Sequence, residues 1–320
     1  MPRIHRVDPA SVPGIRRVRT RGRFRYRNPD GTAVSSADRK RIAALVIPPA
    51  WTSVWISPDP DGHLQALGTD AAGRRQYLYH ARWRTRRDGE KFERALRLAA
   101  ALPALRARAT RALRGEDERE RVLAVAFRLL DRTAIRIGSP GYLRRYGTRG
   151  LTTLRWADVT WRGTTITLSF RGKMNLLHTI EFDDEDLIAW IGSHPAHPAR
   201  AFLLRYREGP RRRTIGPADV NAFLADAAGE PFTAKDFRTL RGTTTAALVL
   251  AERADEDAEA RERAAVDAVA AALGNTRAIA RASYIDPRVL AAARKGRFID
   301  RAPSPESALL HLLDRAPDDA

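Results

Sequence analysis

Near Gly89 the apolar residues change the period on which they recur, and that change confines the fold to a two-part, mixed architecture. Before it, short runs of β-branched and aromatic residues are separated by turn formers. Ser53–Ser57 and His63–Gly68 are joined by Pro58-Asp-Pro-Asp-Gly62, and Gln76-Tyr-Leu-Tyr-His80 is a third alternating run. Ser35 to Asp38 can cap a short helix through Val46, which Pro48-Pro49 ends. Residues 1–28 read as basic and irregular, with Phe24 and Tyr26 set among arginines, followed by an Asn28-Pro-Asp-Gly31 turn.

After Gly89 the period is helical. Glu90–Leu113 is amphipathic with a break or kink expected at Pro103, and Glu116–Ile137 is a second long helix ending at Gly138. A β interlude follows at Thr152–Leu154, Thr164–Phe170 and Leu176–Phe182, the last two joined by Arg171-Gly-Lys-Met-Asn175. Helices are expected over 217–227, 234–252, 256–273, 287–294 and 305–314, and the acidic run Glu252–Glu262 reads as an exposed helix start. The expected fold is α+β: a small β-rich domain at 1–86 and a larger, mainly helical domain at 87–320.

Charge narrows the partner. The 320 residues carry 57 basic and 38 acidic side chains, a net +19, which fits a polyanion such as nucleic acid. Only Lys40, Lys91, Lys173, Lys235 and Lys295 of the basic set are lysines. With no cysteine, disulfides, thiolate metal sites and cysteine nucleophiles are excluded. No apolar leader and no run near the roughly 18 apolar residues of a membrane span is visible, so a cytoplasmic protein close to nucleic acid and free of membranes is expected. His194-Pro-Ala-His197 sits in a proline-bound loop with no adjacent acid, and no metal is expected there.

Five residues at expected structural boundaries carry the chemistry. Arg136 ends a helix, Lys173 tips a hairpin whose Gly172 permits a tight turn, and Arg238 lies at the start of a helix. Asn275 follows a Gly274 that can stop a helix, and Tyr284 closes a short helical run before Asp286-Pro287. Singly, each has an ordinary explanation as a surface cation, a cap partner or a packed ring. Together they supply a nucleophile, forked cations for a pentacoordinate phosphorus, and a proton donor for a leaving oxygen. Lysine, whose proton affinity a protein can tune, suits the last task.

The ordered segments resemble the type IB DNA topoisomerases of the small, poxvirus-like class found in bacteria. They are Ile135-Arg-Ile-Gly138 with Tyr142, Gly150-Leu-Thr-Thr-Leu154, Phe170-Arg-Gly-Lys173, Thr233-Ala-Lys-Asp-Phe-Arg238 and Leu273-Gly-Asn-Thr276 through Tyr284. Ile47-Pro-Pro-Ala-Trp51 and Gly73-Arg-Arg-Gln-Tyr-Leu-Tyr79 also fit, so the resemblance spans nearly the whole chain. It implies that Tyr284 forms a 3′-phosphotyrosyl bond, that Arg136 and Arg238 stabilise the transition state, and that Lys173 protonates the 5′-oxygen. Asn275 stands where many relatives have histidine; an amide donates a hydrogen bond but holds no proton in transit, so its implied role is oxyanion contact. Arg74, Gln76, Tyr77, Tyr79, Tyr142 and Lys235 match DNA-contacting positions.

The resemblance further implies a nucleoid-associated monomer that clamps duplex DNA and needs neither ATP, metal nor cofactor. The rival reading with shared chemistry is a tyrosine site-specific recombinase, and that from another class is a non-catalytic basic DNA-binding protein. Because Tyr284 follows a short Ala-rich segment, it is expected to stay displaced from the other groups until DNA binds.

Overall fold

The structure, a computed structural model, describes residues 3–194, 197–300 and 304–314. The chain forms two compact units, residues 1–90 and 91–320, and the boundary falls inside one helix. Among the described residues, no helix is long and apolar enough to cross a membrane.

The first unit is an antiparallel five-stranded sheet. Its strands are β1 (Ile15–Thr20), β2 (Arg23–Arg27), β3 (Thr52–Ile56), β4 (Leu64–Thr69) and β5 (Arg75–Tyr79), ordered β2-β1-β3-β4-β5. The β1–β2 hairpin corrects the reading of residues 1–28 as irregular. Arg21 and Gly22 both take positive φ, 47° and 78°, the primed turn that matches strand twist, and Arg16 pairs with Arg27 through Thr20 with Arg23. Arginine at alternate positions hid the period that apolar residues would have shown. Helix α1 (Ser36–Ala44) is capped by the Ser35 hydroxyl, as the sequence indicated. Ile15, Val34, Ile42, Val54, Ile56 and Ala66 form the core beneath the sheet. The Pro-Pro-Ala-Trp segment leaves carbonyls that no strand can pair, and the Arg17 guanidinium takes them: Pro48 O at 3.1 Å, with Ile47 O and Trp51 O.

Helix α2 (Ala81–Arg114), which contains the boundary between the units, begins well before Gly89 and runs on through Pro103, where a break was expected. Pro103 is exposed, while Leu98, Leu102, Leu105 and Ala109 are buried; packing of that face holds the helix together across the missing N–H. Helix α3 (Glu118–Thr133) ends four residues short of Ile137, because Ala134 turns left-handed at φ 48° and its N–H returns to Leu130 O. Its Phe127 meets Phe237 edge-on at 6.0 Å in the centre of the core. Helix α4 (Pro140–Tyr146) buries no residue.

A second sheet, β6 (Val159–Arg162), β7 (Thr165–Arg171) and β8 (Leu177–Asp183), turns Ile166, Leu168 and Phe170 inward. Thr152–Leu154, expected as a strand, is a 3-10 turn over Leu151–Thr153. After α5 (Glu185–Gly192) comes a two-stranded hairpin of β9 (Arg205–Glu208) and β10 (Arg211–Thr214), which the sequence did not announce. Helices α6 (Pro217–Ala228), α7 (Ala234–Glu252), α8 (Ala258–Leu273), α9 (Arg277–Tyr284), α10 (Pro287–Arg294) and α11 (Pro305–Asp314) close the chain. The fold is therefore mixed, a β-sheet unit followed by a mainly helical core.

Candidate active site

Arg136 is not the end of a helix; it lies in the irregular strip 135–138 that follows the left-handed Ala134. This strip is bonded to the 3-10 turn, with Leu151 N donating to Arg136 O at 2.8 Å and Thr152 N to Ile137 O at 2.9 Å. Two glycines permit the approach: Gly138 has φ 71°, and a Cβ on Gly150 would sit 2.4 Å from Arg136 O. The backbone is thereby fixed and the guanidinium swings toward the turn between α8 and α9. There it donates to Asn275 Oδ1 at 2.6 Å and to Gly274 O at 3.4 Å.

Arg238 lies in the first turns of α7, whose start is fixed by Asp236. That carboxylate is fully buried, accepts from Thr233 N at 2.8 Å and pairs with Arg94 at 2.7 Å. The buried Arg238 guanidinium donates to Ala134 O and to Leu273 O, both at 2.8 Å. One side chain thus ties the segment before Arg136 to the segment before Asn275. The Nε of Arg238 and the Nδ2 of Asn275 are buried donors with no hydrogen-bond partner among the described residues.

Tyr284 is the last residue of α9, and its ring lies 5.2 Å from the Arg238 guanidinium. The expected displacement of this tyrosine is therefore not seen. Its backbone rests on α7, where a Cβ on Gly242 would come within 2.5 Å of Tyr284 O and 2.8 Å of Tyr284 Cβ. The Thr243 hydroxyl bridges the exit from α9, donating to Tyr284 O and accepting from Asp286 N, each at 3.2 Å. Arg277–Asp267 and Arg281–Glu262 ion pairs join α9 to α8 at the surface. Burial opposes ionisation of the Tyr284 phenol, but hydrogen bonding from the Arg238 side chain, followed by the charges of Arg238, Arg136 and Lys235, outweighs it, and the pKa lies below the ordinary tyrosine value. Burial and the neighbouring Arg238 charge lower Arg136, with Tyr284 pulling the other way.

Lys173 is exposed, on the turn Lys173–Asn175 between β7 and β8. Gly172 is not the residue that makes this turn: its φ is an ordinary −99°, and Met174 and Asn175 take the positive values, 62° and 60°. Gly172 is needed for another reason, since a Cβ there would fall 2.5 Å from the ring of His178. Arg136, Lys173, His178, Arg238 and Leu273 line one small cavity. His178, Gly242 and Thr243 were missed by the sequence reading. The signal for His178 was its register opposite Phe170, visible only once the hairpin turn is placed.

The residues expected to contact DNA divide between the two units. In the first unit Arg74, just before β5, pairs with Asp70 at 2.8 Å, and Gln76 on β5 donates to the same carboxylate at 2.9 Å. The backbone N–H and guanidinium of Arg74 lead the groups that lower the Asp70 carboxyl to about 2. Tyr77 and Tyr79 project from one face of β5 as stacked rings 6.2 Å apart. In the second unit Tyr142 is 64% exposed and leans on Tyr146, and Lys235 is exposed in the first turn of α7. His194 and His197 belong to a ring stack with Trp156 and Trp190, in which His197 lies 4.4 Å from Trp156. Among the described residues no cluster of three or more histidine or acidic side chains could hold a metal.

Residues 80–295 match the family profile described as eukaryotic DNA topoisomerase I, catalytic core. Residues 23–70 match bacterial DNA topoisomerase IB, N-terminal domain. The chain is 30% identical over 236 residues to the DNA topoisomerase 1B of Acanthamoeba polyphaga mimivirus, covering 71% of this chain and 69% of that protein. Among solved structures, the XerH site-specific recombinase bound to difH substrate, a pre-cleavage complex, aligns with a TM-score of 0.39 at 14% identity. That alignment takes in 61% of this chain and about half, 52%, of the recombinase.

Proposed function

The chain belongs to the type IB DNA topoisomerase family, and on that premise we propose that Tyr284, Arg136, Lys173, Arg238 and Asn275 relax supercoiled duplex DNA by transient cleavage of one strand. The Tyr284 oxygen bonds to the scissile phosphorus as the bond to the 5′-oxygen breaks. The phenol proton leaves to solvent, and Lys173 gives a proton to the departing 5′-oxygen. Arg136 and Arg238 carry the charge that builds on the non-bridging oxygens, a task for forked donors in a water-poor site. Asn275 donates from Nδ2 to the same oxygens. The 3′-phosphotyrosyl bond conserves the energy of the phosphodiester, so the 5′-hydroxyl reseals the strand with no ATP. The two guanidiniums supply the positive charge that metal ions bring to other phosphoryl transfers.

The observation that carries this reading is the convergence of Arg136, Arg238 and Asn275 beside Tyr284, with the Arg238 Nε and Asn275 Nδ2 donors still unbonded. Arg74, Gln76, Tyr77, Tyr79, Tyr142 and Lys235 are the supporting duplex contacts in this proposal, and the enzyme acts as a monomeric clamp on DNA in the cytoplasm, at the nucleoid. Residues 1–86 form the clamp domain and 87–320 the catalytic domain. The test is relaxation of supercoiled plasmid in EDTA without ATP, beside a Tyr284→Phe variant. Wild-type protein should relax supercoils of both signs and the variant neither. No relaxation by wild type despite DNA binding, or equal relaxation by the variant, would overturn the assignment.

A further inference from the structure

The loop that carries Lys173 and the turn that carries Asn275 come from distant parts of the chain, and both close on one side chain. His178 is half-buried on β8, opposite Phe170 of β7, and its ring stacks on that phenyl at 5.4 Å and 20°. One edge of the imidazole faces Gly172, where a Cβ would lie 2.5 Å from Cδ2 and 2.7 Å from Nε2. The other edge faces Gly274, where a Cβ would lie 2.4 Å from Cε1. Real Cβ atoms do not come this near, so both loops need glycine in order to touch the ring. Lys173 and Asn275 are the next residues along the chain from these two contacts.

We propose that His178 is a positioning residue of the strand-cleavage reaction, its neutral ring being the spacer that sets the Lys173 turn against the Asn275 turn. The inference rests on the functional reading above. The charged groups around the ring are cationic: Arg136 from the strip after α3, Lys173 from the loop, Arg238 from α7 and Arg149 beside the 3-10 turn. No carboxylate lines this cavity among the described residues, and Arg149 turns to Asp158 at 2.8 Å. From β7 the uncharged Phe170 ring lies against the imidazole, and from the α8–α9 turn the uncharged Gly274. Burial, then the charges of Arg136 and Arg238, hold the His178 pKa below its ordinary value. At neutral pH the ring is uncharged; as pH falls through that lowered value it gains a proton among cations and pushes the two turns apart.

The test is single-turnover formation of the covalent protein–DNA adduct on a duplex oligonucleotide, from roughly pH 5 to 8. It compares wild type with His178→Ala, which leaves a gap, and His178→Gln, which keeps a flat, uncharged group of similar reach. Wild-type cleavage should fall on the acid side. His178→Ala should cleave at least about tenfold more slowly at neutral pH with DNA affinity unchanged, whereas His178→Gln should keep the neutral rate within about threefold and lose the acid fall. His178→Ala cleaving at the wild-type rate, or His178→Gln keeping the acid fall at the wild-type midpoint, would overturn the inference. Because His178→Ala opens a gap beside Phe170, its melting temperature is measured alongside, and the His178→Gln profile decides the matter by itself. A wild type that forms no adduct removes the functional reading and the inference together, whereas an adduct with indifferent variants removes the inference alone.

Discussion

Tyr284 owes its place to two residues of α7 that bear no charge. Gly242 leaves room for the tyrosine backbone, and the buried Thr243 hydroxyl holds the chain as it leaves α9. A methyl at 242 has no flexible neighbour to displace, because the atoms it meets are Tyr284 O and Tyr284 Cβ. Gly242→Ala should therefore cost about 1–3 kcal/mol of stability through overpacking. It should also slow plasmid relaxation by at least about tenfold, since a shift of about an ångström at the nucleophile is felt strongly. DNA affinity should stay unchanged, because no charge is altered. Urea unfolding and a relaxation time course check both halves; wild-type relaxation by this variant would mean that α9 does not rest on Gly242 during the reaction.

At the level of elements, α2 carries a cost that it could shed. Pro103 removes the N–H that Ala99 O would accept, and its exposed ring contributes little packing in return. Pro103→Ala should raise stability by about 2 kcal/mol, less than the roughly 3 kcal/mol propensity difference because the unfolded chain gains freedom. A higher urea midpoint with an unchanged slope is the expected result. An unchanged or lower midpoint would show that the core needs the geometry Pro103 imposes. The same element shows why the sequence was readable in part. The period around Leu98, Leu102, Leu105 and Ala109 announces a helix, but Gly89 and Pro103 look like breaks until the packed face overrides them. The end of α3 was misplaced because alanine is a strong helix former, and nothing local marks Ala134 as left-handed. The places of Arg238 near a helix start and Tyr284 at a helix end were legible because each sits beside a local punctuation mark, the Thr233–Asp236 box and the Asp286-Pro287 step. His178 was not, because its role arises from contacts with Gly172 and Gly274, remote from each other in sequence.

Over the whole molecule, charge is the dominant variable. Residues 1–90 carry 18 basic and 8 acidic side chains, and the full chain is +19. Binding to duplex DNA should release counterions in proportion to the phosphates neutralised. If about 6–10 phosphates are contacted, affinity for a duplex of arbitrary sequence should fall about 10³–10⁵-fold between about 50 and 200 mM salt. Fluorescence anisotropy titrations across that range measure the slope, and a flat response would exclude phosphate-dominated binding.

The β1–β2 hairpin closes one edge of the first sheet with a strand whose alternate residues are Arg23, Arg25 and Arg27. An unpaired strand edge is a template on which a second copy can add, and like charge along it keeps copies apart. A polyanion cancels that repulsion. Colloidal behaviour should therefore be re-entrant in DNA: the protein disperses when either component is in excess and condenses where their charges balance, so the edge that protects it alone exposes it in a stoichiometric mixture.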